Sequence, residues 1–467
     1  RMPISGIRLT MAKTNTEYTG RNANGKAMVT FYRLITAVLS LFLPLYLQLR
    51  ARRGKEEPSR LGERMGKASL PRPGGEVFWL HAASVGECIS AMVLARAIIS
   101  TMDEENRDAT ILMTSGTITS AQTIAIRCQE FGLEGRLIHQ YVPLDNLTWV
   151  KRFLDHWQPA LMVVVEGDLW PNMLIETHAR GVPIAMASAQ ISPSSLRFWQ
   201  RLGLGLARGV FSVFDRILTV DAMHAERFRQ LPVRDGVVDV GGSMKIAAPP
   251  LAERPEIEGA ISEGASGRMV VALLSSHDAE ESLFIDAMLR LEEGRFLAVI
   301  APRHPDRGQA IQRMIEAKGK SAGLYSRGEW PQQRQPFWIV DRIGEMGGII
   351  RATDMIVLGG GFAPMGGHNP MEAAALGKGI ISGSNVFKNQ VAFDLLEQHG
   401  GVVYADTVAE LADQITTLAA SPSQSDQLDN GAFNASRALA NQAVSTAQQI
   451  LAFDRGKNPN KKQGKGS

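Results

Sequence analysis

Several short stretches of the chain place ionisable side chains where a backbone turn would present them. In HAASVGE, residues 81–87, a run of small residues closes on Glu87. Ser84-x-x-Glu87 fits a capping box, in which serine and glutamate satisfy free backbone donors at a helix start, and whether Glu87 also does chemistry is left open by the local pattern. VVVEGDLWPN, residues 163–172, ends an apolar run in Glu166 and Asp168 before Pro171 starts a helix. APRHPDR, residues 301–307, gathers Arg303, His304 and Arg307 in a proline-stiffened loop. Two guanidinium groups and an imidazole suit a phosphate through charge-assisted bonds, and a plain solvated loop cap is the alternative. LLSSHDAEE, residues 273–281, sets Ser276 and His277 at a strand-to-helix junction.

The richest stretch is LGGGFAPMGGHNPMEAAALG, residues 358–377. Its glycines, Gly366 and Gly367 among them, allow backbone to approach a ligand, and Asn369-Pro370 opens a helix whose N-terminus attracts an anion. Such a loop suits a nucleotide phosphate. Glu372 either caps that helix with Asn369 or accepts hydrogen bonds from two ribose hydroxyls, and the local pattern favours neither.

The elements that carry these groups alternate strand and helix. Apolar runs at 76–82, 110–115, 137–142, 161–166, 183–188, 216–220 and 237–242 form one series, and runs at 269–276, 296–302, 337–341, 354–360, 379–383 and 401–405 form a second. Continuous apolar runs of this kind mark parallel strands buried on both faces. The pattern predicts an α/β protein of two doubly wound, Rossmann-type domains that face a central cleft lined by the carboxyl ends of both sheets. That plan suits group transfer from a nucleotide-activated donor, one domain holding the nucleotide and the other the acceptor and a base.

The expected order is a disordered leader (1–27), an apolar segment with a basic flank (28–55), an acceptor-binding domain (56–246), a linker (247–259), a nucleotide-binding domain (260–453) and a disordered basic tail (454–467). Residues 28–49 are the one long apolar stretch outside the strands, broken by Arg33 and Pro44 and followed by RARRGK. Its length approaches that of a bilayer span, and the basic flank predicts a membrane anchor or interfacial helix with the bulk of the chain in the cytoplasm. The 467 residues carry 50 basic against 47 acidic side chains, a balance that does not argue for a nucleic-acid partner. Cys88 and Cys128 lack CxxC spacing and the histidines are scattered, so neither a disulfide framework nor a metal is indicated.

HAASVGE, YVPLD (141–145), VEGDLWPN, GGSMK (241–245), SSHDAEE, PRHPDR, IGEM (343–346) and GGHNPMEA, in this order and spacing, resemble the 3-deoxy-D-manno-octulosonic acid (Kdo) transferases of Gram-negative lipopolysaccharide synthesis. RLGERMG (60–66) is similar too, and the resemblance runs from about residue 30 to residue 450. It implies a GT-B architecture, a place on the cytoplasmic face of the inner membrane, and inverting transfer of Kdo from CMP-Kdo to a lipid A precursor without metal or cofactor. It further implies Glu87 as general base and Glu166 and Lys245 as transition-state stabilisers. Pro302, Arg303, Ile343, Gly344, Glu345, Asn369, Pro370, Met371 and Glu372 would hold the CMP moiety, with Ser276, His277, Gly366, Gly367 and His368 beside them.

The chain departs from the family pattern at SAQIS (188–192), where an arginine is missing, at GGS before Lys245, at Ala247, and at Asp168 in place of a glutamate. These departures keep two alternatives open: a related transferase with another sugar nucleotide or acceptor, and a binding protein of the same fold with impaired catalysis. Retention of Glu87, Arg303, Asn369 and Glu372 argues against the second.

Overall fold

The computed structural model of the chain describes residues 27–201, 203–244 and 251–457. The expected leader up to residue 26, Lys245, the start of the linker and residues 458–467 lie outside the described residues. The fold divides into two compact units, with boundaries after Lys245 and after Asn441.

The first unit contains a seven-stranded parallel sheet of β1 (Glu76–His81), β2 (Ala109–Ser115), β3 (Leu137–Tyr141), β4 (Leu161–Val165), β5 (Ile184–Ala189), β6 (Arg216–Thr219) and β7 (Val238–Val240), in the order β3-β2-β1-β4-β5-β6-β7. The second unit repeats the plan with β8 (Met269–Ser276), β9 (Phe296–Pro302), β10 (Ala322–Leu324), β11 (Phe337–Ile339), β12 (Met355–Leu358), β13 (Ile380–Ser382) and β14 (Val402–Tyr404), ordered β10-β11-β9-β8-β12-β13-β14. Both are the doubly wound sheets expected from the apolar runs. The period of two along each strand sends alternate side chains to opposite faces. In β1, Phe78 and Leu80 join one core, while Val77 and Trp79 join the other.

Three boundaries differ from expectation, each for a local reason. β10 went unanticipated because Ala-Gly-Leu carries no β-branched or aromatic residue. Pro255 starts a helix, Pro255–Ala265, inside the expected linker, with Glu256 and Glu258 in its first turn where acidic groups favour a helix N-terminus. The long helix Pro422–Lys457 outlasts the second unit, which ends at Asn441, short of 453. From there Ala443, Ala447, Ile450 and Leu451, an apolar stripe at helical spacing, are buried in the first unit's core beside β1 and the helix Val85–Glu104.

The apolar N-terminal segment forms two helices, Ala27–Leu39 and Leu43–Arg52, bent by 57°. Pro44 lies in the first turn of the second, where it supplies no N–H and its ring excludes the carbonyl four residues back. One face of the first helix is tied to the first unit: Tyr32 donates to Asp145 Oδ2 at 2.8 Å, and Asn172 Nδ2 donates to Thr36 Oγ1 at 3.2 Å. Its other face exposes Phe31, Leu34, Ile35 and Val38, followed by Leu41, Phe42, Leu45 and Tyr46. Just beyond, the RLGERMG stretch braces the end of β3. Arg60 pairs with Glu63 at 2.8 Å, Glu63 Oε2 accepts from Tyr141 N at 2.7 Å, and Arg64 donates to the Val142 carbonyl.

Candidate active site

In a doubly wound sheet, consecutive strands progress outward in two directions from a switch point, and the carboxyl ends beside it open a crevice for ligands. The strand orders put that point between β1 and β4 in the first unit and between β8 and β12 in the second. HAASVGE follows β1 and EGDLWPN follows β4. SSHDAEE follows β8 and the GGHN loop follows β12. Four of the five motifs singled out by side-chain chemistry therefore flank the two switch points, and the fifth, APRHPDR, follows β9, the strand next to β8.

In the first unit, Ser84 caps the helix Val85–Glu104 by accepting from Glu87 N at 3.3 Å. The reciprocal half of the box is shifted by one residue: Glu87 Oε2 accepts from Ala83 N at 2.7 Å, not from Ser84 N, and Oε1 accepts from Ser84 Oγ at 3.1 Å. The serine cap is thus present, and the carboxylate remains partly exposed at the helix N-terminus. Glu166, the first residue past β4, holds φ at +66°, a left-handed conformation that costs a non-glycine residue energy and is concentrated at functional turns. Its N–H donates to the Ala187 carbonyl at 2.9 Å and its own carbonyl accepts from Gln190 N at 3.1 Å, which fixes the turn.

Across the switch point, His81 Nε2 donates to Asp168 Oδ2 at 3.1 Å, and Trp170 Nε1 donates to the same oxygen at 2.9 Å. Burial raises the Asp168 carboxyl, but the hydrogen bond and charge of His81, then Trp170 and Arg64, outweigh it and hold the group below its ordinary value. Beyond β5, Ser188, itself left-handed at φ +49°, accepts from Met244 N at 2.9 Å and donates to the Gly242 carbonyl at 3.4 Å. The SAQIS and GGSM stretches, two of the four departures from the family pattern, are therefore in direct contact just ahead of Lys245.

In the second unit, His277 caps the helix Asp278–Met288 and its Nε2 lies 3.0 Å from His368 Nε2, with the rings stacked at 5.1 Å. His304 packs edge-on to His277 at 6.0 Å. Burial, then the charges of His277, Arg303, Lys388 and His304, push the His368 imidazole down to about 4. Arg303 N donates to the Ser276 carbonyl at 3.0 Å, and the exposed Arg303 guanidinium has no ion-pair or hydrogen-bond partner among the described residues. This gathers His277, His304 and His368 with the cations Arg303 and Lys388 at one edge, a set of charges and hydrogen-bond donors suited to a phosphate.

Three details correct the sequence-based picture. Arg307 is not available to a ligand, because Glu281, fully buried, grips it at 2.6–3.0 Å and Asp278 pairs with it as well. The glycine-rich loop serves the fold first. Glu280 Oε1 accepts from Gly360 N at 2.7 Å and from Phe362 N at 3.1 Å, while Oε2 accepts from His277 N at 3.0 Å. A Cβ on Gly361 would come within 2.6 Å of the Gly383 carbonyl, and one on Gly366, at φ +95°, within 2.5 Å of Lys388. These glycines let strand-end loops approach one another. Finally, Pro370 precedes rather than opens the helix Met371–Ala375, which has only five residues; Asn369 Oδ1 accepts from Met371 N at 3.0 Å.

Pro302 ends β9, and Ile343 to Glu345 follow β11, its neighbour, at the same sheet edge. Ile343 is 87% exposed, while Arg254 donates to the Gly344 carbonyl at 2.9 Å and pairs with Glu345 at 3.4 Å. Sequence reasoning missed His81, Glu280 and Lys388. His81 had a signal, a histidine closing an apolar strand and opening the HAASVGE motif; Lys388 lies in no pattern. Among the described residues no group of three or more His, Cys, Asp or Glu side chains is arranged to hold a metal ion.

These are two α/β units whose switch points carry carboxylates in one and cations in the other, the makings of a group-transfer enzyme. A family profile described as 3-Deoxy-D-manno-octulosonic-acid transferase (kdotransferase) matches residues 59–248. The chain is 31% identical over 413 residues to the 3-deoxy-D-manno-octulosonic acid transferase of Bordetella pertussis, covering 86% of this chain and 94% of that one. It is 30% identical over 412 residues to a probable mitochondrial 3-deoxy-D-manno-octulosonic acid transferase of Arabidopsis thaliana, covering 85% and 89%. Among solved structures, the C-terminal CMP-Kdo binding domain of WaaA from Acinetobacter baumannii matches 39% of this chain and 98% of that one, at 20% identity and a TM-score of 0.37. The chain belongs to the Kdo transferase family. It is accordingly an enzyme, a glycosyltransferase that transfers Kdo in lipopolysaccharide biosynthesis.

Proposed function

We propose that the enzyme takes Kdo from CMP-Kdo and attaches it, with inversion, to a hydroxyl of a lipid A precursor, needing no metal. Glu87 removes the hydroxyl proton, the resulting oxygen attacks the anomeric carbon from the face opposite CMP, and the bond to the CMP phosphate breaks with its electron pair staying on the phosphate. The observation that carries this reading is the position of Glu87 at the carboxyl edge of β1, at a helix N-terminus and beside the switch point. Glu166 and Lys245 are assigned to stabilising the cationic sugar and the departing anion. On the donor side, Arg303 faces the phosphate with His277, His304 and His368 beside it, and the departing group carries a single phosphate that a fixed guanidinium and hydrogen-bond donors stabilise without a divalent ion. Ser276, Pro302, Ile343 to Glu345, Gly366, Gly367 and Asn369 to Glu372 complete the CMP site, with Glu372 on the ribose. The acceptor domain is the first unit and the donor domain the second.

The same reading places the enzyme on the cytoplasmic face of the inner membrane. The bent helix pair is held along one face by Tyr32 and Thr36 and exposes its apolar residues on the other, and Arg52 and Arg53 follow them. That arrangement suits a helix lying in the interface with basic residues near anionic headgroups. The test is incubation of the purified protein with CMP-Kdo and a tetraacylated lipid A precursor, followed by mass spectrometry, beside Glu87→Ala. A Kdo-bearing lipid formed by the wild type and lost in the variant is expected; product that survives the substitution removes Glu87 as the base.

A further inference from the structure

Glu87 is not the only carboxylate at the first switch point, and it is not the one with a free oxygen. Both its oxygens accept capping hydrogen bonds. Asp168 is built the other way. His81 and Trp170 both donate to Oδ2, so that lobe is pinned, while Oδ1 has no partner among the described residues and the side chain stays 31% exposed.

What pins it extends inward as a continuous chain of hydrogen bonds. The Trp79 indole, buried in the core, can only donate, and its Nε1 donates to Thr114 Oγ1 at 2.8 Å. Thr114 Oγ1 lies 2.9 Å from His81 Nδ1, and both residues are fully buried. A carboxylate oxygen accepts only, so His81 carries a proton on Nε2, facing Asp168. Its Nδ1 shares a hydrogen bond with Thr114 Oγ1, which fixes the plane of the ring. The series Trp79, Thr114, His81, Asp168 is continuous and ends on the carboxylate. A buried ring held on both nitrogens in this way orients the group it donates to.

We infer that Asp168 is an acceptor-binding residue, whose outward Oδ1 accepts a hydrogen bond from a sugar hydroxyl of the acceptor next to the one Glu87 deprotonates, and that His81 and Thr114 are its positioning residues. The inference rests on the acceptor reading above. Asp168→Asn keeps the size of the side chain, but the pinned lobe must still accept from His81 and Trp170. The amide nitrogen therefore faces outward, turning an acceptor into a donor.

The test is steady-state kinetics with CMP-Kdo and the tetraacylated lipid A precursor, varying each in turn, for wild type, Asp168→Asn, Thr114→Val and the pair His81→Gln and His81→Leu. Asp168→Asn should raise the KM for the lipid roughly 10- to 100-fold, the loss expected for a hydrogen bond to a charged group, and leave the KM for CMP-Kdo unchanged. Thr114→Val, which removes only the hydroxyl that holds the His81 ring from behind, should raise the same KM several-fold. His81→Gln, which retains an N–H toward Asp168, should recover more of the lipid KM than His81→Leu at matched melting temperature. An active wild type with an unchanged lipid KM in Asp168→Asn overturns the inference alone. A wild type inactive on this lipid overturns the acceptor reading, and the inference falls with it.

Discussion

The two sheets bridge their switch points with the same device, a histidine, but with opposite charge beside it. In the first unit, His81 at the end of β1 reaches Asp168 beyond β4, and Glu87 and Glu166 stand close in sequence to the two partners. In the second, His277 beyond β8 meets His368 beyond β12, with Arg303, His304 and Lys388 around them. Carboxylates are present in the second unit as well, but Glu280 and Glu281 are buried, and are bound to backbone N–H groups and to Arg307. What distinguishes the units is which charge each leaves facing outward. Transfer of a sugar from a phosphate needs this division: an anion to take the acceptor's proton, and cations for the phosphate that leaves.

The sharpest way to break the comparison is to change one side and read both. Glu87→Gln keeps a capping acceptor but removes the base, so turnover should fall by about 10²- to 10⁴-fold, the usual contribution of a positioned general base. CMP affinity, measured by calorimetry, should be unchanged. Arg303→Ala should do the reverse. Loss of one charge-assisted contact to phosphate should weaken CMP binding by about 10- to 100-fold while the KM for the acceptor stays near that of the wild type. If Glu87→Gln also weakened CMP binding, the assignment of one role to each unit would fail.

Both doubly wound sheets were legible in the sequence because strands buried on both faces read as unbroken apolar runs. The exception, β10, is three residues without a strand-forming side chain. The motif residues were legible because strand ends and turns carry distinct punctuation. Their partners were not. Nothing near Arg307 in the sequence shows that Glu281, 26 residues earlier, neutralises it. Glycines at 360 and 361 look alike whether the loop approaches a ligand or a neighbouring strand end, and only the fold brings Gly383 against Gly361. Ser188 and Met244, joined by a hydrogen bond, are 56 residues apart. Contacts made across a parallel sheet leave no local period to read.

A smaller effect tests whether the buried carboxylates of the second unit serve the fold rather than the ligand. Glu280→Gln cannot accept from Gly360, Phe362 and His277 at once, because its amide nitrogen accepts nothing. Leaving a buried donor unsatisfied costs about 1–3 kcal/mol, so urea unfolding should show a loss of that order for Glu280→Gln. The same change made at exposed Glu293 should cost far less.

The histidine bridge of the second unit offers the finest discrimination, because its sign with pH is fixed. His368 is held at about 4, against 6.5 for an ordinary imidazole, by burial and then by the positive neighbours His277, Arg303, Lys388 and His304. Between those two values the unfolded chain binds a proton at this residue that the folded chain refuses. The associated stability is therefore fully present above pH 6.5 and is lost as the pH falls through 4. His368→Gln keeps a polar group beside His277 but cannot take up that proton. The stability difference between wild type and variant, followed by urea unfolding from pH 7.5 to 4.5, should shift toward the variant as the pH falls. Parallel curves would show that His368 titrates normally and that the second switch point carries less positive charge than the contrast with the first requires.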